Sequence, residues 1–240
     1  MNKPFKRLVQ IGSTVLVLGT VGFLGLLLIS YGPLDENTEV LALPNVVETR
    51  DYYVVHPFGG ASANLVFYQG GLVRTESYLV LAHALSEAGI RVYLPKMPLN
   101  LAILDRFTFE DIYEDDGLEW YVGGHSLGGA SAAYVAEADE NVAGLIFLAA
   151  YPPSTIDLSD QRLPVLSIVG SEDEVLDWVL YEETKTLLPS DTVFEIIYGG
   201  NHAYFGSYGQ QRGDGDAWVS NRFQIIRTVE LISAFISEVD

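Results

Sequence analysis

The feature that most constrains the fold is the stretch WYVGGHSLGGASAAY at residues 120–134. It begins with an apolar segment of strand character, continues through a glycine turn and ends in small residues suited to a helix packed on a sheet. At its centre, Gly124-His125-Ser126-Leu127-Gly128 matches G-x-S-x-G, in which a strained turn between a strand and a helix holds a serine at the strand tip. Glycine is needed two residues either side of the serine because a Cβ there would meet the strand or helix backbone. The stretch therefore predicts a strand, a sharp turn at Ser126 and a helix.

Strand-like and helix-like segments alternate along the rest of the chain. The expected central strands are apolar runs at Ile90–Leu94, Val142–Ala149 and Pro164–Val169. The expected helices are Glu76–Ala88, Asp177–Leu188 and Asn221–Val239. This alternation predicts an α/β fold in which a mostly parallel sheet is flanked by helices. Open sheets of this kind bind ligands beyond the carboxyl ends of their strands, so residues at those ends are the candidates for a functional site.

Charge and cysteine content exclude several functions. The chain has 240 residues, a formal net charge of −19 and no cysteine. Beyond residue 30, ten basic residues stand against 32 acidic ones. Such a surface repels phosphate backbones, so nucleic-acid binding is excluded. The absence of cysteine excludes disulfides, thiolate nucleophiles and cysteine-based zinc sites, and neither a metal nor a cofactor is expected.

The N-terminal region predicts a membrane anchor. Leu8–Ser30 is apolar and uncharged, and as a helix rising about 1.5 Å per residue it would span a hydrocarbon core of about 30 Å. Basic residues precede it and acidic residues follow. The positive-inside rule therefore predicts a cytoplasmic tail at residues 1–7, a single-pass anchor at residues 8–30 and a domain on the extracytoplasmic side. A cleaved signal peptide is the alternative, but Ile29-Ser30-Tyr31-Gly32 is a poor cleavage site, and we favour the anchor.

The remaining chain is interpreted as a linker and one domain. Residues 31–50 contain two prolines and several acids and are interpreted as a linker. The first expected strand, Asp51–His56, begins a catalytic domain at residues 51–240, a length that suits a single large core. No pattern indicates an oligomeric state.

A serine nucleophile needs a base, and His202 is the candidate among four histidines. It follows a strand and two glycines, and it comes after both Ser126 and the strand-end acid Asp173. The order Ser126, Asp173, His202 is the chain order of α/β-hydrolases. In that arrangement His202 takes the serine proton, while Asp173 orients the imidazole and stabilises its charged form. Glu172 and Glu174, which flank Asp173, are interpreted as solvated.

Stabilisation of a developing oxyanion needs backbone donors. The N–H of Leu127, at the start of the predicted helix, is one candidate. The second is the N–H of Gly71, or of Gly70 in its place, on the loop after the expected strand Asn64–Tyr68.

Other residues near the expected strand ends are candidates for substrate binding. Tyr204, Phe205 and Tyr208 lie in a long loop, Ala203–Ala217, directly after the base. Ordinary loop packing is the alternative for these aromatic residues. For Lys96, an anionic substrate group and a surface carboxylate are alternative partners, and we favour the carboxylate. The full set of substrate-binding candidates is Gln69, Lys96, His125, Tyr204, Phe205 and Tyr208.

Several short motifs together resemble a known family. They are Tyr68–Gly71, Lys96–Asn100, Gly124–Gly129, Ala149–Pro153, Gly170–Asp173 and Gly200–His202. The chain resembles membrane-anchored members of the bacterial α/β-hydrolase family, in the branch grouped with dienelactone-hydrolase-like proteins. The resemblance covers Tyr52–Val239 and implies an α/β-hydrolase fold with a Ser-His-Asp triad. Dienelactone hydrolases use a cysteine nucleophile, which this chain lacks, so their substrate is not carried over. The short segment between Ala149 and Pro164 leaves no room for a large cap domain.

The expected function is hydrolysis of small-molecule carboxylic esters or thioesters outside the cytoplasmic membrane, with the membrane contacted through the N-terminal helix. An acyltransferase, an amidase or a peptidase could use the same triad. A catalytically silent binding module on the same scaffold is a further alternative. Retention of Ser126, Asp173 and His202 together argues against a silent module, since binding alone does not need all three.

Overall fold

An eight-stranded, mostly parallel sheet organises the domain. The computed structural model describes Gly25 and residues 30–239. The strands are β1 (Val46–Glu48), β2 (Tyr52–Val55), β3 (Ala63–Tyr68), β4 (Ile90–Pro95), β5 (Glu119–His125), β6 (Val142–Leu148), β7 (Val165–Gly170) and β8 (Val193–Ile197). Their order across the sheet is β1-β2-β4-β3-β5-β6-β7-β8. All pairings from β4 to β8 are parallel, whereas β1 and β2 add an antiparallel edge. The predicted α/β class with a mostly parallel sheet is confirmed.

Helices connect the strands and flank the sheet. They are α1 (Asp35–Leu41), α2 (Leu79–Glu87), α3 (Phe109–Ile112), α4 (Leu127–Ala138), α5 (Trp178–Thr184) and α6 (Asn221–Val239). Two predicted helices differ from expectation because their ends tighten into 3₁₀ turns, Thr75–Tyr78 before α2 and Lys185–Leu187 after α5.

The core lies on both faces of the sheet because successive side chains of a strand point to opposite faces. In β3, Leu65 and Phe67 belong to one apolar cluster, which also contains side chains of α2 and α6. Val66 and Tyr68 belong to a second cluster, which contains side chains of α3 and α4. Burial on both faces explains why the central strands are continuous apolar runs.

Residues 31–50, interpreted from the sequence as a linker, are structured as part of the domain. They contain α1 and the edge strand β1, which pairs with β2. The side chain of Asn37 is buried, and its amide donates to the carbonyl of Ser207 at 2.7 Å. Prolines and acids in this segment do not prevent packing because β1 is an edge strand and α1 keeps its acidic first turn exposed.

The connection between β6 and β7, residues 149–164, contains neither a helix nor a strand. The predicted tail at residues 1–7 lies outside the described residues, as does the predicted anchor at residues 8–30 apart from Gly25 and Ser30. Among the described residues, no helix combines the length and the apolar character needed to cross a membrane.

Candidate active site

Ser126 lies on a sharp turn between β5 and α4, as the motif predicts. Its backbone has φ 52° and ψ −121°, a conformation that a residue with a Cβ adopts only under strain. The turn is fixed on both sides. The N–H of Ser126 donates to the carbonyl of Leu148 on β6 at 2.9 Å, and its own carbonyl accepts from Ala130 in α4.

This turn is possible because the two motif glycines, Gly124 and Gly128, have no Cβ. A Cβ on Gly124 would lie 2.6 Å from the backbone N of Gly129, and a Cβ on Gly128 would overlap the carbonyl oxygens of Tyr68 and Gln69. The steric reason expected from the sequence is therefore confirmed. Close contact brings the loop after β3 against the N-terminus of α4.

Strain is concentrated around this turn. Among the described residues, the non-glycine residues with positive φ are Leu72, Leu99, Asn100, Ser126 and Ala149. Each follows the carboxyl end of one of four adjacent strands, β4, β3, β5 and β6. The loops after β3 and β4 also bond to each other, since the N–H of Leu72 donates to the carbonyl of Asn100 at 2.8 Å. Backbone strain of this kind clusters at functional sites, where surrounding contacts hold it in place.

The loops after β7 and β8 bring the predicted acid and base together. Gly170 ends β7, and a Cβ on it would overlap the backbone of Gly200. The carbonyl of Gly200 accepts the N–H of Glu172 at 2.8 Å. This close approach is possible only because Gly170 lacks a side chain, and it places the residues that follow each glycine side by side.

Asp173 and His202 form a buried pair. Nδ1 of His202 lies 2.8 Å from Oδ2 of Asp173, and the side chains are 2% and 0% exposed for the histidine and the aspartate. The other carboxylate oxygen accepts the N–H groups of Val175 and Leu176 at 2.9 and 2.8 Å. A carboxylate held this way accepts the Nδ1 proton, so Nε2 of His202 carries the free lone pair. Among the described residues, Nε2 has no hydrogen-bond partner.

A second carboxylate, which the sequence did not reveal, holds the backbone of His202, the predicted base. Asp214 accepts the N–H of His202 at 3.2 Å and that of Ala203 at 2.8 Å. It also accepts the N–H of Glu174, at 3.4 Å, on the loop that carries Asp173. Asp214, on the loop after His202, thus bonds to both the loop that carries His202 and the loop that carries Asp173.

Ser126 and His202 line one cavity of about 270 Å³. The remaining polar lining comes from Tyr151 and Asp177. Burial and the nearby Asp177 carboxylate raise the pKa of Tyr151, so its hydroxyl stays protonated near neutral pH. The apolar lining comes from Leu127, Ala130, Ala149, Ala150, Val175 and Leu176. Most of the lining residues follow β6 or β7. Their positions after strand ends were the signal in the sequence that could have identified them as cavity residues.

Of the oxyanion candidates, Leu127 and Gly71 have unused donors. Neither backbone N–H has an acceptor within residues 30–239. The two residues are adjacent, since a Cβ on Gly71 would lie 3.2 Å from Cδ2 of Leu127. The N–H of Gly70 instead donates to the hydroxyl of Tyr78 at 3.0 Å, so it is not available as the alternative donor.

Several predicted substrate-binding residues lie away from the cavity. Lys96 is on the antiparallel side of the sheet, where its ammonium contacts Glu48 Oε1 and the Thr49 carbonyl, both at 2.7 Å, and the ring of Tyr53. The favoured alternative, a surface carboxylate as its partner, is therefore what the structure has. Its charge is already matched there by Glu48, which ends the edge strand β1.

The aromatic candidates pack inside the domain. Phe205 and Tyr208 are buried around His125, with ring centroids 5.9 and 6.4 Å from it, and Tyr204 lies beside them in the chain. None of the three lines the Ser126 cavity. Burial of Gln69 is also almost complete, and its carboxamide has no hydrogen-bond partner among the described residues. Loop packing, the alternative for the aromatic residues, explains their positions.

His125 lies next to the base but has a different environment. Its ring centroid is 4.6 Å from that of His202, and its Nδ1 lies 2.8 Å from the hydroxyl of Tyr78. Complete burial, with a contribution from His202, holds the pKa of His125 well below its ordinary value, so the ring is neutral. Tyr78 had no sequence signal because it lies within the predicted helix Glu76–Ala88, where its type and spacing indicate only a packing residue.

Within the described residues, no group of three or more His, Asp or Glu side chains could hold a metal ion.

Comparison with known proteins identifies the family. The sequence profile of the alpha/beta hydrolase family matches residues 64–225. The chain belongs to the α/β-hydrolase family, as the resemblance implied. No curated protein matches it by sequence.

Solved structures share the fold at low sequence identity. A dienelactone hydrolase from Anabaena variabilis superposes with TM-score 0.58 at 18% identity, covering 78% of this chain and 90% of that one. Acyl-protein thioesterase 2 from Zea mays gives 0.59 at 16% identity, covering 77% and 98%. A soluble variant of monoglyceride lipase from Saccharomyces cerevisiae gives 0.58 at 11% identity, covering 80% and 94%. These similarities establish the hydrolase fold.

Proposed function

We propose that the protein is a serine hydrolase that cleaves carboxylic esters or thioesters of small molecules. One observation carries the proposal. Ser126, on its strained turn, shares a cavity with His202, whose Nδ1 is bound to Asp173 and whose Nε2 has no partner within the described residues. A serine, an imidazole with a free lone pair and a buried carboxylate in this order are the parts that acyl transfer needs.

The reaction proceeds in two stages. Nε2 of His202 takes the hydroxyl proton as Oγ of Ser126 attacks the substrate carbonyl, and the N–H groups of Leu127 and Gly71 stabilise the oxyanion. The tetrahedral intermediate collapses with loss of the alcohol or thiol, which leaves with the proton held on His202. Water then attacks the acyl-serine, giving its proton to His202, which returns it to Ser126 as the acid departs. Asp173 orients the imidazole and stabilises its charged form throughout.

The lining of the cavity indicates the substrate class. Its walls are mostly small and apolar, which suits a short apolar acyl or alcohol group. Asp177 is the carboxylate that lines it, so a neutral substrate fits better than an anionic one. Names of fold neighbours, an acyl-protein thioesterase and a monoglyceride lipase among them, are compatible with oxygen or sulfur leaving groups.

Hydrolysis of p-nitrophenyl esters of graded chain length tests this proposal. The full-length chain is expected to hydrolyse short neutral esters best, and Ser126→Ala to reduce turnover by about 10⁴-fold or more. Ser131→Ala is a matched control in α4, the helix that follows Ser126, because its hydroxyl donates to the carbonyl of Leu127 one turn earlier. It is expected to retain turnover within about twofold. Equal activity of the Ser126→Ala and wild-type proteins would overturn the proposal.

We also propose that residues 8–30 anchor the domain outside the cytoplasmic membrane. Support comes from the sequence, in which basic residues precede an uncharged apolar segment and acidic residues follow it. Protease added to intact cells should then degrade the domain, and the protein should fractionate with membranes. A soluble, shortened product beginning near Tyr31 would show instead that the segment is a cleaved signal.

A further inference from the structure

A buried hydrogen-bond chain joins the loop after β3 to the strand that carries the serine. The backbone N–H of Gly70 donates to the hydroxyl of Tyr78 at 3.0 Å, and that hydroxyl lies 2.8 Å from Nδ1 of His125. Tyr78 is 0% and His125 1% exposed. His125 immediately precedes Ser126, and Gly70 immediately precedes Gly71. These hydrogen bonds therefore connect His125, which adjoins the proposed nucleophile, to Gly70, which adjoins one proposed oxyanion donor.

One direction of these bonds gives both the Gly70 N–H and the Tyr78 hydroxyl proton an acceptor within the described residues. The N–H of Gly70 can only donate, so the hydroxyl oxygen of Tyr78 accepts it. Nδ1 of His125 is the one acceptor within the described residues for the hydroxyl proton. In that direction Nδ1 is unprotonated and the neutral ring carries its proton on Nε2, which has no hydrogen-bond partner among the described residues. Burial lowers the pKa of His125, so the ring carries a single proton.

Close packing restricts the movement of Gly70, Tyr78 and His125. A Cβ on Gly70 would lie 2.8 Å from Nδ1 of His125 and 2.9 Å from the hydroxyl of Tyr78, closer than side chains tolerate. The ring of Tyr78 is itself held between Phe67 and Tyr208, with centroids 5.4 and 6.4 Å away. Movement of Gly70 away from the hydroxyl would leave a buried N–H without a partner, which is unfavourable.

We propose that Tyr78 and His125 are a positioning pair that sets the backbone of residues 70–71 against the Ser126 turn, so that the N–H of Gly71 reaches the oxyanion. The proposal rests on the proposed hydrolase function. Neither side chain touches the substrate, and both act through the backbone of Gly70. Because an oxyanion donor acts in the transition state, disturbing the pair should lower kcat and leave KM nearly unchanged.

Tyr78→Phe tests the proposal because it removes only the hydroxyl. Tyr208→Phe is the matched control, since Tyr208 is also buried beside His125 but its hydroxyl donates to Gln211 at 3.0 Å. We expect Tyr78→Phe to lower kcat about 10- to 100-fold, with KM within about threefold of wild type. Tyr208→Phe should change kcat by less than about threefold.

A trifluoromethyl ketone provides a second readout. It adds to a nucleophilic serine as a hemiketal oxyanion, so its affinity depends on the oxyanion donors. Its inhibition constant should rise in Tyr78→Phe by about the factor by which kcat falls, and stay near wild type in Tyr208→Phe. Thermal unfolding of both variants separates a loss of folding from a loss of positioning. Equal kcat and equal inhibition in the two variants would overturn the proposal.

Nitrogen-15 NMR of the imidazole rings separates this proposal from the proposed function. Wild-type His125 should show the Nε2–H tautomer, and Tyr78→Phe should shift it toward a mixture, whatever the enzyme hydrolyses. An unchanged tautomer would overturn the hydrogen-bond assignment. If the tautomer shifts but Ser126→Ala has wild-type turnover, the proposed function has failed and the oxyanion role fails with it.

Discussion

Two histidines lie side by side, His125 at the end of β5 and His202 on the loop after β8, and they differ in the partner of Nδ1. Each is 1% exposed, and their ring centroids are 4.6 Å apart. His202 is bonded through Nδ1 to the carboxylate of Asp173 at 2.8 Å, whereas His125 is bonded through Nδ1 to the hydroxyl of Tyr78 at 2.8 Å. The distance from Nδ1 to its partner and the exposed fraction are the same for both histidines. The two rings therefore differ in the chemical nature of the partner.

The partner determines which imidazole can hold a second proton. A carboxylate accepts the Nδ1 proton and stabilises the imidazolium that forms when Nε2 is protonated. A phenol supplies no negative charge to offset burial, so complete burial, with a contribution from His202, holds the pKa of His125 well below its ordinary value and the ring stays neutral. In our account, His202 is therefore the base of Ser126, and His125 supports the backbone around it. Burial alone does not identify a catalytic histidine.

The largest expected effect comes from giving His202 a neutral partner as well. Asp173→Asn should lower turnover by about 10⁴-fold, because the amide favours the wrong imidazole tautomer and cannot stabilise its charge. Steady-state ester hydrolysis measures this. Glu172→Gln and Glu174→Gln are matched controls on the same loop and should each cost less than about tenfold, or about 1.4 kcal/mol of barrier. An active Asp173→Asn variant would remove the distinction between the two histidines.

An intermediate effect is expected on the side of His125. Gly70→Ala places a methyl group between Gly70, Tyr78 and His125, where an ideal Cβ has contacts of 2.8 and 2.9 Å. It should destabilise the fold by about 1–3 kcal/mol and lower kcat by about 10- to 100-fold. Gly59→Ala is the control, since a Cβ there has no heavy atom within 4 Å. Matching kinetics and unfolding curves for the two variants would show that the Gly70 contact is unimportant.

The pH dependence of stability should also report the neutral histidine. The folded-state pKa of His125 lies below the unfolded value of about 6.5, so below that pH the unfolded chain binds a proton that the folded chain does not. The stabilisation is present above about pH 6.5 and is lost as pH falls. His125→Gln removes this contribution, and the difference in slope from wild type should approach about 1.4 kcal/mol per pH unit. Denaturant unfolding between pH 7 and pH 5 checks it, and parallel curves would contradict it.

The smallest expected effect concerns a carboxylate that contacts neither histidine. Asp177 lines the cavity and also caps α5, accepting from Val179 and Leu180 at 3.1 Å. Asp177→Asn keeps the cap, because asparagine caps a helix as well as aspartate does. The ratio of kcat/KM for a succinyl monoester to that for a butyryl ester should rise about two- to fivefold. An unchanged ratio would show that Asp177 does not select against anionic substrates.

Sequence predicted the parts of the fold that depend on local patterns. Apolar runs predicted the central strands, and the spacing of the glycines around Ser126 predicted the turn. Chain order predicted that Asp173 and His202 would meet, since parallel strands place their carboxyl ends at one edge of the sheet. These inferences required only residue type and spacing.

Side-chain direction and tertiary partners could not be predicted in the same way. The sequence places Lys96 at a strand end, but only the antiparallel edge shows that it points to Glu48. Tyr208 follows the base in sequence but is packed inside the domain beside Tyr78. Asp214 has its role through a tertiary contact as well, because its carboxylate accepts the backbone N–H of His202. The structure of residues 31–50 was missed because β1 is a short edge strand with little apolar pattern.

Labelling with a fluorophosphonate tests the central claim, that Ser126 is a nucleophile activated by His202, most directly. The full-length chain, labelled at neutral pH and digested, should carry one phosphonyl adduct on the peptide containing Ser126. Labelling should disappear in Ser126→Ala and slow strongly in Asp173→Asn, while Ser131→Ala should label at the wild-type rate. An adduct on another residue, or no adduct on the folded wild-type protein, would contradict the account.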